Sequence, residues 1–509
     1  MQSFRIKNIK SFKDSGEITI KPITVLVGQN SCGKSSLLRF PAVLAQTANY
    51  VGSNPPISFW GENVDYGNFE DVVFGKENDI ISFSLCYKVD VTGNTRISTD
   101  MSGNRVWISS RKNTNKTIKE SSIDVIIRRV RKSLTIQQID ISIEGTPISS
   151  LKRDNESKGY ILSLLSMYKN DEFLEVQETI KFSRDDVTFE KFFPIYENDI
   201  ISAIVKTNNF NLSPERRNAV LKYLFFVSEL NENSINIELT EEEMKIVEIH
   251  RIFDFSAKIM KGIYTSFNIE CKKMISYIGP FRQKPDRVYR NSETAKTHVG
   301  AKGENIGNIL ARAYQSDDKI LYDKISKIIV DYFGYELNIR DLGNNYFQLM
   351  LKDKNGIESN LIDVGFGISQ VLPIISEVCM SSLKSGITDL SIDNLILVEQ
   401  PELHLHPAAQ ARLADLFSMC TSTNESTKFI IETHSEHLIS KLQVLIADKD
   451  YPLTSDMVQI LYVDKNEDGQ AFIEEMKLKE NGKFEKEWPS GFFDQGYTLA
   501  RQLSKASIR

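Results

Sequence analysis

The run Gly28-Gln29-Asn30-Ser31-Cys32-Gly33-Lys34-Ser35 fits the pattern GxxxxGK[ST], and Ser36 extends it. This spacing suits a phosphate cradle: the glycines let the backbone curl so that its N–H groups face an anion at a helix N-terminus. Lys34 would bring a point charge to the β- and γ-phosphates, and Ser35 a hydroxyl to Mg2+. The preceding Ile23-Thr-Val-Leu-Val27 is apolar almost throughout, as in a strand covered on both faces, and an apolar-periodic helix follows from about Lys34. A glycine turn capping an ordinary helix is the alternative; the strand before and the helix after argue against it.

A second group lies far downstream. Asn394-Leu-Ile-Leu-Val-Glu399-Gln400-Pro401-Glu402 reads as a buried strand ending in a carboxylate. That is where a phosphate-loop protein holds Mg2+, often through a water, so Ser35 and Glu399 are the expected metal residues. The distance from Lys34 is too long for a compact GTPase and fits one nucleotide-binding domain split by a large insert. Phe429-Ile-Ile-Glu432-Thr-His434-Ser435 gives another strand ending in polar residues, and His434 there can hydrogen-bond a γ-phosphate oxygen. Asp363-Val-Gly365-Phe-Gly367-Ile-Ser369-Gln370 is a glycine-rich loop opening a helix. It is either a plain helix cap or a set of N–H groups offered to an anion. In the second case the anion is the nucleotide of another subunit, which implies a head-to-tail pair with two shared sites. His404 and His406 sit two apart without a third donor nearby, so packing at the helix entry is favoured over metal binding.

The elements that must position these residues follow from patterning. The chain has 509 residues, 41% hydrophobic and 26% charged, values of a globular protein with two to four domain-sized units. Lys and Arg number 62 against 68 Asp and Glu, a net charge of −6, which excludes nucleic-acid binding through bulk positive charge. Two local basic runs remain: Arg128, Arg129, Arg131 and Lys132; and Arg282, Lys284, Arg287 and Arg290. A solvated face is the reading favoured for the first; the second could meet a phosphate, a DNA backbone or another subunit. Five scattered cysteines without a CxxC pair give neither a disulfide framework nor a zinc site and point to a reducing compartment. The lysine-broken N-terminus is no signal-peptide core, and no run is apolar enough to span a bilayer; a soluble, cytoplasmic chain with no membrane partner is expected. Three short strands are expected over residues 4–27, an antiparallel meander from Ile80 to about Glu144, and a helical insert over about 150–270 without a long coiled-coil arm. Strand and loop resume at Met274, and helices alternate with strands from Glu304 to Leu478. A polar tail with the aromatic cluster WPSGFFD and a short helix closes the chain. The boundaries expected are 1–85 and 274–509 for the two halves of the nucleotide-binding domain, and 86–273 for the insert.

Together these motifs resemble the ABC-type ATPases of the RecF/SMC/OLD group, and most of all the stand-alone bacterial ATPases labelled AAA within it. The resemblance rests on FRIKNIKSFKDSGEITIKPITVLVGQNSCGKSSLLR, Tyr277-IGPFRQKPDRVYR, Val299-GAKGENIGNIL, VGFGISQVLP, EQPELHLHP, ETHSEHLI and WPSGFFD, over roughly residues 1–85 and 275–500. It implies an α/β fold: a P-loop ABC-type nucleotide-binding domain, with a mixed β-sheet and helices, interrupted by the β-meander and helical insert. It makes residues 28–36 the Walker A loop, Glu399 the Walker B acid, His434 the switch histidine, and Gly365 to Gln370 the signature loop. ATP and Mg2+ are the implied cofactors, and a homodimer or higher homo-oligomer the implied assembly.

Three departures from the group matter. Ser369 lies late for a signature serine, which leaves more to the backbone of Gly365 and Gly367. Gln46, on the P-loop helix, is a poor Q-loop glutamine. Gln400 stands where much of the group has a glutamate acting as general base; glutamine orients water but cannot take its proton, and losing a general base costs roughly 10²–10⁴-fold. Slow turnover and a long-lived ATP-bound dimer are expected unless Glu402 or His434 substitutes. With no Toprim, HNH or restriction-type nuclease motif read in the chain, the resemblance implies the ATPase component of an anti-phage system of the Septu or PARIS kind. Its effector nuclease would then be encoded nearby. The alternative is a RecF-like ATPase that binds DNA in repair; a transporter ATPase fits less well.

Overall fold

A computed structural model describes residues 1–49, 55–75, 78–90, 95–99, 105–109, 118–154, 159–169, 172–182, 197–208, 210, 212–229, 238–292, 296–384, 393–423 and 426–489. Residues 490–494 of the WPSGFFD cluster and the helix expected after them lie outside the described residues. The chain divides into two compact units. One comprises Met1–Ile9, Tyr50–Ser58 and Gly75–Ile269, and the other Lys10–Asn49, Phe59–Phe74 and Glu270–Arg509.

The first unit carries an antiparallel sheet. Ser3–Ile9 pairs with Ile80–Asp90, which pairs with Ile118–Val130; Ser133–Ile143, Thr146–Arg153, Tyr160–Lys169 and Glu172–Phe182 follow in chain order. Alternation sets which face is covered: Ile123, Val125 and Ile127 are buried at every second position, and Ile141, Ile139 and Ile136 oppose them in turn. Glu144 and Gly145, at φ 48° and 78°, close the hairpin between Ser133–Ile143 and Thr146–Arg153 in the geometry that suits a right-handed twist. The meander runs further than the sequence suggested. Thr146–Arg153, Tyr160–Lys169 and Glu172–Phe182 are strands rather than parts of a helical insert, and Tyr160, Leu162 and Leu164 bury every second side chain. Among the described residues of this region the helices are Glu197–Thr207, Pro214–Glu229 and Glu241–Ile269. The last is opened by a reciprocal cap: the Glu243 N–H donates to Thr240 Oγ1 (3.3 Å) and the Thr240 N–H to Glu243 Oε2 (2.7 Å).

The second unit is built on a sheet in the order Ile275–Ile278, Asn394–Glu399, Thr427–Glu432, Ile23–Gly28, Val458–Lys465, Ala471–Glu475. All neighbours run parallel except the last pair. Asn394–Glu399, Thr427–Glu432 and Ile23–Gly28 are buried at every position, which is why their sequences are apolar runs rather than alternations. Val25, Val398 and Ile431 pack in one core with Ile374, Ile375 and Val378 of the Phe366–Lys384 helix and with Leu413 and Phe417 of the Pro407–Thr423 helix. Register places Glu399 opposite Glu432 and Glu432 opposite Leu26. The carboxyl ends of three strands therefore come to one edge, where open α/β sheets bind ligands.

Candidate nucleotide site

Gly28 ends its strand at φ 140°, and a Cβ there would lie 1.9 Å from the Val463 carbonyl oxygen, so only glycine fits. Gly33, at φ 112°, turns the chain beneath the Phe12 ring, and the Leu37 N–H donates to the Gly33 carbonyl (3.0 Å) to open the Lys34–Asn49 helix. Between them Gln29, Asn30 and Ser31 are exposed. Lys34 is buried and folds back over the loop, its Nζ donating to the carbonyls of Gly28 (3.0 Å) and Gln29 (2.6 Å). The Cys32 thiol donates to the Gln29 carbonyl (2.9 Å), and burial pushes it above the usual thiol range against the pull of Lys34. Ser35 and Ser36 are half-buried; the Ser36 carbonyl accepts from the Tyr66 hydroxyl.

Glu399 is almost wholly buried and accepts three hydrogen bonds. Arg39, one helical turn beyond Ser35, donates to it through Nε (2.5 Å) and Nη2 (2.6 Å), and the Tyr277 hydroxyl adds a third bond (2.8 Å). Burial raises the Tyr277 phenol, and the Glu399 charge beside it raises it further. Arg39 is held above its ordinary range by the Glu399 hydrogen bonds, although burial opposes them. Arg282 braces the strand end from behind, Nη2 donating to the Glu399 carbonyl (2.7 Å) and Nη1 to that of Gln400 (3.4 Å). Burial lowers its guanidinium to about 10, with Glu402 and Glu399 opposing.

Gln400 turns at φ 43°, and its N–H donates to the Glu432 carbonyl (2.8 Å), so the residue after the acid is pinned to the next strand. Glu402 is buried and accepts the His434 N–H at Oε1 (2.7 Å); burial raises its carboxyl above the usual range. His434 stands exposed at its strand end, its imidazole lowered first by loss of solvent and then by the Lys34 charge. Ser435 caps the Glu436–Ala447 helix by accepting the Leu438 N–H (3.1 Å).

The carboxylate next to Ser35 is Glu432. Burial raises its pKa and the Glu399 charge adds to the rise, while the nearby Ser35, Lys34 and Arg39 act against it. Its Oε2 is buried with no hydrogen-bond partner among the described residues.

The glycine-rich loop divides. Gly365 is exposed, with nothing described within 4 Å of where its Cβ would stand, and Gly367 faces Leu405 (3.5 Å). Ser369 and Gln370 are buried within the helix that follows. Glu377 on that helix ties it to the edge strand by accepting from Ser276 Oγ (2.5 Å) and the Val299 N–H (2.9 Å). Gln46 accepts the Val64 N–H (3.1 Å) and supports a loop. His406 Nδ1 accepts the Ala408 N–H (3.3 Å) at the helix entry, and the described residues hold no group of three or more His, Cys, Asp or Glu side chains placed to hold a metal.

Three members of the basic runs are engaged within the protein, while Arg128, Arg131, Lys132, Lys284 and Arg290 are exposed. Arg129 pairs with Asp79 (2.9 Å) and Arg287 with Asp363 (2.8 and 2.6 Å), while buried Arg282 serves the site from within rather than facing an external phosphate. Sequence reasoning missed Arg39, Tyr277 and Glu432. The spacing of Arg39 four residues after Ser35 puts both on one helix face and was the available signal.

Among the described residues no helix is long and apolar enough to cross a membrane. No curated protein matches the chain. The head domain of Smc from Pyrococcus furiosus, solved with an extended coiled coil and bound to the C-terminal domain of ScpA, aligns over 99% of both chains at 11% identity and a TM-score of 0.38. The SMC head domain from Thermotoga maritima covers 94% of this chain and 98% of its own at 10% identity and a TM-score of 0.35. Residues 453–503 match a family described as Protein of unknown function (DUF3696). Residues 1–439 match the family described as AAA ATPase domain, and the chain belongs to that family.

Proposed function

We propose that this ATPase binds ATP with Mg2+ at residues 28–36 and hydrolyses it slowly. Two copies would close on shared nucleotides to control a separate effector nuclease in defence against phage. The observation that carries the nucleotide reading is the register of the sheet. It brings Glu399 and Glu432 to the same edge as the strand that delivers Lys34 and Ser35. Lys34 is poised to exchange its two carbonyl partners for phosphate oxygens, a charge-assisted bond being the stronger. When bound, Mg2+ would neutralise charge on the β- and γ-phosphates; the Ser35 hydroxyl and the buried, unpartnered Glu432 Oε2 fit such an ion. His434, exposed and held neutral by its surroundings, can donate to a γ-phosphate oxygen.

Slow turnover is supported by Gln400. Its backbone is fixed by the Glu432 carbonyl, so a side chain that orients water without accepting a proton sits where the base would be. Glu402 is the candidate substitute: its Oε1 accepts the His434 backbone N–H, and its Oε2 has no hydrogen-bond partner among the described residues. The shared-site dimer is supported by the open surface at Gly365, and the defence role by the motif resemblance.

The test is ATP binding, turnover and sedimentation of the wild-type protein against Lys34→Ala, with and without ATPγS. Nucleotide-dependent dimers in the wild type alone are expected; rapid turnover by a monomer would refute the slow-switch reading. Co-purification with the product of the adjacent gene tests the effector. A nuclease supports defence, whereas salt-sensitive DNA binding without one supports the repair alternative.

A further inference from the structure

We infer that Arg287 is the side chain this protein offers to the γ-phosphate of a nucleotide held by the Lys34 loop of a second copy. The inference rests on the shared-site reading and names the group that completes such a site.

The glycine-rich loop has no such group of its own. Val364, Gly365, Phe366, Gly367 and Ile368 carry no side-chain donor, and the first residues that do, Ser369 and Gln370, are buried in the helix behind them. Neutral N–H groups alone hold a triphosphate less strongly than a cation does. Asp363, two residues before Gly365, makes the deficit worse, because an exposed carboxylate at the mouth of the loop repels an incoming anion.

Arg287 meets both needs. Its Nη1 and Nη2 each donate to one Asp363 oxygen, at 2.8 and 2.6 Å, so the guanidinium neutralises that carboxylate and lies at the start of the loop. The main chain beneath it is fixed. The Arg287 carbonyl accepts from Asn360 Nδ2 (2.9 Å), the Asp286 N–H donates to the Tyr289 hydroxyl (3.0 Å), and the Tyr289 ring stacks on Phe347 with centroids 5.5 Å apart. The ion pair itself stays open, with 60% of the Arg287 side chain and 48% of that of Asp363 exposed. A pair so exposed is weakly held. A phosphate accepts the same two-pronged donor and carries more charge than a carboxylate, so the guanidinium can exchange one for the other while its backbone stays in place. An arginine that reaches a phosphoryl group from outside its binding loop stabilises the charge that builds up in the transition state. Asp363 is then a positioning residue that parks the guanidinium when no nucleotide is presented.

The experiment compares the wild type with Arg287→Ala, Arg287→Lys and Asp363→Asn. It reads ATPγS affinity at protein concentrations too low for association, ATPγS-dependent dimerisation by sedimentation, and turnover of ATP. Arg287→Ala is expected to keep the wild-type affinity of the isolated chain, which shows that the variant is folded and that the arginine does not serve its own site. Its dimer should weaken by about tenfold or more, and its turnover should fall by roughly 10²-fold or more. Arg287→Lys, a charge without the fork, should recover only part of both. Asp363→Asn should tighten the dimer, because it frees the guanidinium and removes the repulsion. If Asp363→Asn instead reproduces the losses of Arg287→Ala, the ion pair is structural and the assignment is overturned. It is overturned as well if Arg287→Ala dimerises and turns over as the wild type does, or if its isolated chain loses ATPγS affinity. A wild type that stays monomeric in saturating ATPγS refutes the shared-site reading instead.

Discussion

Arg39 grips Glu399 through two nitrogens, at 2.5 and 2.6 Å, so the helix opened by the phosphate loop is tied by a forked ion pair to the end of a strand two places across the sheet. The carboxylate is 2% exposed and the guanidinium 30%, so the loss of either partner is unequal in effect. Arg39→Ala strands a buried charge and should lower stability by about 3 kcal/mol, read from urea unfolding. Replacing both residues with methionine should cost much less, because no charge is then left unpaired. Equal losses in the two variants would show that the pair acts through packing alone.

Gln400→Glu restores a proton acceptor at a position whose backbone the Glu432 carbonyl already holds. Single-turnover hydrolysis should accelerate by roughly 10²-fold, with ATP affinity little changed. A variant no faster than the wild type would place the base elsewhere, and Glu402→Gln would then be the next to assay.

The local parts of the site were legible because the chemistry is encoded in adjacent residues. Gly28 to Ser35 needs a glycine at each end for steric reasons that hold in isolation, and the all-apolar strands announce burial on both faces. What could not be read was pairing across the sheet. Nothing in ETHSEHLI says that Glu432 lies beside Ser35 while Glu399 lies one strand further off; that follows from strand order alone. Arg39 was overlooked for the same reason, since an arginine on a helix acquires meaning only from what faces it. The meander is expected to end at about Glu144 because helical spacing in the later residues of the insert extends the helical reading back to about 150, whereas the period of two at Tyr160, Leu162 and Leu164 is the decisive feature there.

All five cysteines are buried. Burial pushes the thiols of Cys379 and Cys420 up to about 12, which leaves a thiolate fraction of roughly 10⁻⁴ at pH 8. Iodoacetamide should therefore leave these two untouched in the native protein and modify all five residues after denaturation, as counted by intact mass. Cys32 is the sensitive position, because its thiol bonds the Gln29 carbonyl inside the phosphate loop. Any slow native labelling should fall there and be suppressed by ATPγS.

Acid should loosen the long helix of the first unit before it affects a variant lacking its cap charge. Arg216 donates to Glu243 through Nε (2.5 Å), and this bond holds the Glu243 carboxyl at about 2, burial working against it and the Thr240 groups with it. A carboxyl lower in the folded than in the unfolded chain contributes stability that is complete above its unfolded value and is lost as pH falls toward the folded one. The window thus runs from about 4.5 down to about 2. Hydrogen exchange across Glu241–Ile269 should show the wild type better protected than Glu243→Gln at pH 6, with the difference closing steadily below pH 4.5. Arg216→Ala should move the closing point upward, because the carboxyl then titrates nearer its ordinary value. A constant difference across this range would mean that the cap works through its Thr240 hydrogen bonds and not through the charge of Arg216.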